Sequence, residues 1–121
     1  MNAVLQALDG GLIVSIQPEA ASALNTPQAI ATLARCAVAN GAAGVRIEGL
    51  ERVRAVRAAV AVPLVGILKR SHLGFEPYIT STVEEVAAVA EAGATIVAFD
   101  ATQRPHAGGT SVAALVRAAR F

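Results

Sequence analysis

Apolar residues along this chain change spacing in a regular way. After Gly11, residues 12–16 form a short run of Leu, Ile, Val, Ser and Ile, rich in β-branched side chains, as expected of a buried strand. Thr26-Pro27 then opens a helix, Thr26 as N-cap and Pro27 at the first helical position, where its missing N–H costs nothing. Ile30, Leu33, Ala34, Ala37 and Val38 follow at helical spacing, and Asn40-Gly41 ends the helix. Residues 43–47 return to strand spacing. Leu50, Val53, Val56 and Val60 mark a second helix, with Arg52, Arg54 and Arg57 on its wetter side. Residues 63–68 read as a third strand, with Pro63 at its first position. Thr82 and Glu85 form a capping-box pattern for a third helix carrying Val83, Val86 and Ala90, which Gly93 ends. Residues 94–99 read as a fourth strand. A last helix starts at Thr110 or Ser111 and contains Val112, Leu115 and Val116.

The rhythm is β-α four times over, in one domain spanning residues 1–121. A faint repeat supports it: residues 39–45 resemble residues 90–97, each leading from a helix end through glycine into an apolar strand. Alternation of this kind implies parallel pairing with right-handed crossovers. A doubly wound sheet and part of a (β/α)₈ barrel both satisfy it, and the pattern alone leaves that choice open.

Composition narrows the function classes. The net charge of +1 offers no basic field for nucleic acid or anionic lipid, and 3% aromatic residues offer no stacking platform for bases. No apolar run reaches the roughly 20 residues of a membrane helix. The N-terminus lacks the basic start and apolar run of a signal peptide, and the single cysteine suits a reducing compartment, so a cytoplasmic location is expected. Cys36 falls among Leu33, Ala34 and Ala37 and reads as core packing. His72 and His106 fall in loops and read as solvated. No ligand set has zinc spacing, so no metal is expected.

In parallel α/β folds the site forms at the C-terminal ends of the strands. The groups there are Gln17, then Arg46 and Glu48, then Lys69 and Arg70, then Asp100. A lysine in a semi-buried pocket is partly desolvated, which disfavours its charged form and lets the amine exchange protons. Arg46, set between Val45 and Ile47, needs a partner or a ligand anion; Glu48 and Asp100 are the candidate partners. Asp100 suits a sugar hydroxyl, or neutralisation of Lys69 or Arg46. Gly108-Gly109 before the last helix is a weak candidate for holding an anion.

Four stretches together resemble bacterial N-acetylmannosamine-6-phosphate 2-epimerases: residues 10–17, residues 44–49, residues 63–70, and residues 78–80 with 97–102. The Gly-Ile-Leu-Lys-Arg segment ending at Arg70 is the strongest single match. The resemblance implies a (β/α)₈ TIM-type barrel of which this chain is the N-terminal half, truncated after its fourth unit. It implies inversion at carbon 2 of an open-chain N-acetylhexosamine 6-phosphate, in amino sugar and sialic acid catabolism, with no cofactor. It implies that Lys69 transfers a proton and that Gln17, Arg46 and Asp100 contact the amino sugar phosphate. Ile16 stands where the family often has cysteine. The family's second proton-transfer residue, a glutamate in an Ala-Glu-Gly segment, and its phosphate-holding glycine loops belong to later strands. Two other readings stand beside this one: a barrel aldolase using Lys69 as a Schiff-base amine, and a non-catalytic half-barrel that completes its sheet with a partner. On the half-barrel reading the first and fourth strands are open edges and the inner face, with Ile13, Val65, Ile67 and Val97 as candidates, is uncovered. A homodimer or other association through those edges is then expected.

Overall fold

The computed structural model describes residues 2–120. Its elements run α1 (Ala3–Leu8), β1 (Ile13–Ile16), α2 (Pro27–Ala39), β2 (Gly44–Glu48), α3 (Leu50–Ala59), β3 (Leu64–Ile67), α4 (Val83–Ala92), β4 (Ile96–Val97) and α5 (Val112–Ala119). The strands form one parallel sheet in the order β1-β2-β3-β4. Strand order identical to chain order has no switch point. This decides the open question in favour of barrel-type winding over a doubly wound sheet.

Register and burial separate the two faces. Val14, Val45 and Leu64 stand side by side, as do Ile16, Ile47, Gly66 and Val97. This face meets Ile30 and Ala34 of α2, Val53 and Val56 of α3, and Val89 and Ala92 of α4 in a single core. Gly66 permits the closest approach: a Cβ there would lie 2.6 Å from Val89 Cγ1 and 2.7 Å from the Ala94 Cβ. The opposite face carries Ile13, Ser15, Arg46, Glu48, Val65 and Ile67, and it is the side that lines a barrel.

The helix ends follow local chemistry. Thr26, Thr82 and Ser111 each accept from a backbone N–H of the first turn. Gly93 closes α4 in the left-handed conformation at φ 118°. At α4 the expected capping box takes a variant form, because the Glu85 carboxylate accepts from the Ser81 N–H at 3.0 Å.

Several expectations are corrected. The short helix α1, capped by Asn2, is absent from the sequence reading because its six residues carry little apolar periodicity. The fourth strand shrinks from residues 94–99 to Ile96–Val97, the two residues that pair with Val65 and Gly66 of β3. Val97 stands in the helix-facing row beside Gly66 and so is no inner-face residue, while Ile67 is on the inner face yet fully buried. Cys36 is exposed. The buried side of α2 follows Ile30, Ala31 and Ala34, and a residue two positions past Ala34 points about 200° away from it. His106 is 3% exposed, not solvated. His72 is half-buried against Glu85, 3.3 Å from its carboxylate.

Candidate active site

The C-terminal ends of β1, β2 and β3 surround an open cleft of about 320 Å³, lined by Gln17, Glu19, Glu48, Arg52 and Lys69 above the buried Ile16 and Ile30. Each strand delivers its polar residue at its last position or one or two residues beyond it. Gln17 follows Ile16 and donates to Ser15 Oγ at 2.8 Å, which keeps its amide on the inner face. Glu48 ends β2. Lys69 follows Ile67-Leu68 and stands exposed on the cleft wall, where the sequence suggested a semi-buried pocket. The sheet supplies no lid over that position: Lys69 lies beyond the last pleat of β3, where the chain leaves the core. Among the described residues its ammonium has no ion pair.

The expected pairings of Arg46 do not form. Glu48 is taken by Arg52, with Nη2 2.8 Å from Oε1 and Nε donating to the Glu48 carbonyl at 2.7 Å. Gly49, at φ 93°, makes room for that guanidinium, since a Cβ there would collide with it. Asp100 is taken by Arg104 at 2.8 Å. Arg46 is left half-buried on the inner face, between Ser15 and Val65, with no hydrogen bond or ion pair from its side chain among the described residues. A half-buried guanidinium without a counter-charge is a ready site for an anion or a carbonyl oxygen.

Asp100 belongs to a separate cluster. Its Oδ1 accepts from the Thr102 N–H at 2.8 Å, and its carbonyl lies 2.8 Å from His106 Nε2. His106 Nδ1 is 2.8 Å from the Arg104 carbonyl, and Arg104 also reaches Glu76 at 3.1 Å. The Thr102 hydroxyl and backbone N–H, with the Arg104 guanidinium, hold the Asp100 carboxyl below its ordinary value against the opposing effect of burial. Of the four site residues read from the sequence, the cleft therefore joins Gln17 and Lys69. Arg46 stands on the adjoining inner face, and Asp100 is bound into the loop after β4.

Sequence reasoning gave Glu48 no role of its own and passed over Arg52. Their i,i+4 spacing across the start of α3 was the available signal. Gly108 and Gly109 lie in a short 3₁₀ turn, Ala107–Gly109, both at positive φ. Among the described residues no group of three His, Cys, Asp or Glu could hold a metal ion, and no helix is long and apolar enough to cross a membrane.

Comparison with known proteins points one way. The family model described as "Putative N-acetylmannosamine-6-phosphate epimerase" matches residues 30–120. A "Putative N-acetylmannosamine-6-phosphate 2-epimerase" of Yersinia pseudotuberculosis serotype O:3 is 44% identical over 99% of this chain and 51% of its own length. One from Caldanaerobacter subterraneus subsp. tengcongensis is 42% identical over 88% of the chain and 45% of its own length. The solved structure of the N-acetylmannosamine-6-phosphate 2-epimerase from Clostridium perfringens superposes with a TM-score of 0.91 at 31% identity, covering 97% of this chain and 51% of that one. The chain thus spans about half the length of the relatives it matches, and that half is four units of their barrel. By sequence and by fold, the chain belongs to the N-acetylmannosamine-6-phosphate epimerase family.

Proposed function

We propose that residues 1–121 form one half of the active site of an N-acylglucosamine-6-phosphate 2-epimerase and contribute Lys69 as one of its two proton-transfer groups. The observation that carries this is the lysine itself. It stands at the end of β3 on the same cleft as Gln17, its ammonium engaged with no carboxylate among the described residues.

The chemistry follows from the substrate. In the open-chain sugar phosphate, the hydrogen on carbon 2 is adjacent to the C1 aldehyde. A base removes it as a proton, the electron pair moves into the C1–C2 bond, and negative charge develops on the carbonyl oxygen. Return of a proton to the opposite face of carbon 2, with the electron pair moving back, gives the epimer. Nothing is oxidised or reduced overall. Lys69 serves one face of carbon 2. Arg46, cationic and unengaged on the inner face, suits the developing enolate oxygen or another anionic group of the substrate. Gln17 and Asp100 hold hydroxyl and amide groups. The second proton-transfer group and the phosphate loops come from the other four units of a complete barrel. A cytoplasmic setting fits a phosphorylated substrate.

The test joins residues 1–121 to the C-terminal half of the Yersinia relative and follows deuterium incorporation at carbon 2 by NMR. Lys69→Ala is expected to lower turnover by roughly 10²-fold or more, the usual scale for an acid–base group. Near-unchanged turnover defeats the assignment. Trapping of Lys69 by borohydride in the presence of the substrate would move the reading to imine chemistry.

A further inference from the structure

Thr80 is the one non-glycine residue with positive φ among the described residues, at φ 46°. A β-branched side chain is an outlier there, and such conformations persist only where the surroundings over-determine them. Thr80 is also fully buried. Its Oγ1 accepts from the Leu68 N–H at 3.0 Å, and its own N–H donates to the Leu68 carbonyl at 2.7 Å. One residue thus engages both backbone groups of the residue immediately before Lys69.

The segment around it explains how the strain is held. Lys69 and Ile79 form an antiparallel bridge, and the Arg70 N–H donates to the Tyr78 carbonyl at 2.8 Å. The Ile79 carbonyl accepts from the Asp100 N–H at 3.0 Å, which ties the same segment to the loop after β4. On the far side, the Ser81 N–H is fixed by the buried Glu85 of α4, whose carboxylate also faces His72 and Arg70. A loop without these ties would let residues 68–70 swing with the long excursion between β3 and α4.

We infer that Thr80 is a positioning residue for Lys69: its hydroxyl and N–H clamp Leu68 and set where the lysine side chain leaves the sheet. The inference rests on the assignment of Lys69 to proton transfer. It predicts an effect on the chemical step and little on binding, because the clamp touches no substrate. Three variants separate the contributions. Thr80→Ser keeps Oγ1. Thr80→Val keeps the branched shape but leaves the Leu68 N–H buried without a partner. Thr80→Gly relaxes the positive φ and also lacks Oγ1.

In the 121-residue chain, amide hydrogen exchange of Leu68 should accelerate in Thr80→Val and Thr80→Gly and stay protected in Thr80→Ser. Unchanged exchange in all three overturns the clamp. In the joined barrel, kcat should fall roughly 10- to 100-fold for the Val and Gly variants, with KM within about twofold, and Thr80→Ser should stay within about threefold of the parent. If Lys69→Ala is inactive while Thr80→Gly keeps the parent kcat, this inference alone is wrong. If Lys69→Ala is itself active, the reading of the site fails and takes the inference with it. Should Thr80→Val not fold, the Ser and Gly pair decides the matter.

Discussion

The backbone N–H of Lys69 donates to Oε2 of Glu48 at 3.1 Å, across the ends of neighbouring strands β3 and β2. The other oxygen of that carboxylate is 2.8 Å from Arg52. Arg52 balances the negative charge, so Glu48 holds the lysine's peptide rather than its ammonium. Glu48 from one side and Thr80 from the other fix the main chain on which Lys69 stands. The side chain extends freely from that base.

Glu48→Ala should therefore affect turnover more than stability. The pair with Arg52 is partly exposed and contributes little by itself, so the loss in unfolding free energy should be about 1 kcal/mol. Turnover in the joined barrel should fall by roughly tenfold through misplacement of Lys69. Urea denaturation and C2 exchange kinetics measured on the same preparation check both halves. A stability loss with parent kcat would show that the contact with Lys69 has no consequence for the site.

The chain by itself should show no epimerase activity. On the proposed reading, inversion needs proton transfer at both faces, and the second proton-transfer group and the phosphate contacts would come from the other half of the barrel. It should also associate at micromolar concentration. The edge strand β1 has one neighbour and leaves Leu12 and Ile13 exposed, at 67% and 41%. Sedimentation equilibrium and NMR-detected deuterium exchange test the two statements. A 12.3 kDa monomer throughout that range would show that edge and inner face are adequately shielded.

Asp100 gives the molecule an acid-labile contact. Its carboxyl is held below the ordinary 3.8 by Thr102, hydroxyl and N–H, and by Arg104. A lowered folded-state value contributes stability that is present above the unfolded value and is lost as pH falls through the folded one. Asp100→Asn should be less stable than the parent near neutrality. The gap should close as the pH drops from about 5 towards 2. Urea midpoints across that range provide the measurement, and a gap that stays constant with pH would rule out the ionised carboxylate as its source.

Gly66→Ala tests the packing of α4 on the sheet. The added methyl would meet Val89 of α4 and Ala94, on the segment between α4 and β4, well inside contact distance, and neither side chain has a flexible tip to yield. Overpacking of this kind costs about 1–3 kcal/mol. Thermal unfolding should register it as a lowered Tm, and an unchanged Tm would mean that α4 slides outward at no cost.

The amino-acid sequence by itself determined β1 to β3, the helices from α2 onward and most of their limits, though not α1 or the length of β4. Thr26-Pro27, Thr82, Gly93 and Ser111 act through bonds that span three or four residues, and the spacing of Ile30, Leu33 and Ala34 declares which side of α2 is buried. The strand ends were equally legible, because parallel α/β chains place their chemistry there, and Gln17, Arg46, Lys69 and Asp100 were named from that position and from family motifs. Only the tertiary structure decided what depends on contacts between residues distant in sequence. Strand order selected barrel winding. That Glu48 and Asp100 are taken from Arg46 had a local signal, since Arg52 and Arg104 each stand four residues from the carboxylate they capture, but which of the competing arginines wins was settled only by the fold. Cys36 lies outside the core because the helix phase carries it away from Ala34. The grip of Thr80 on Leu68 joins positions twelve apart through a φ that no pattern of apolar residues records.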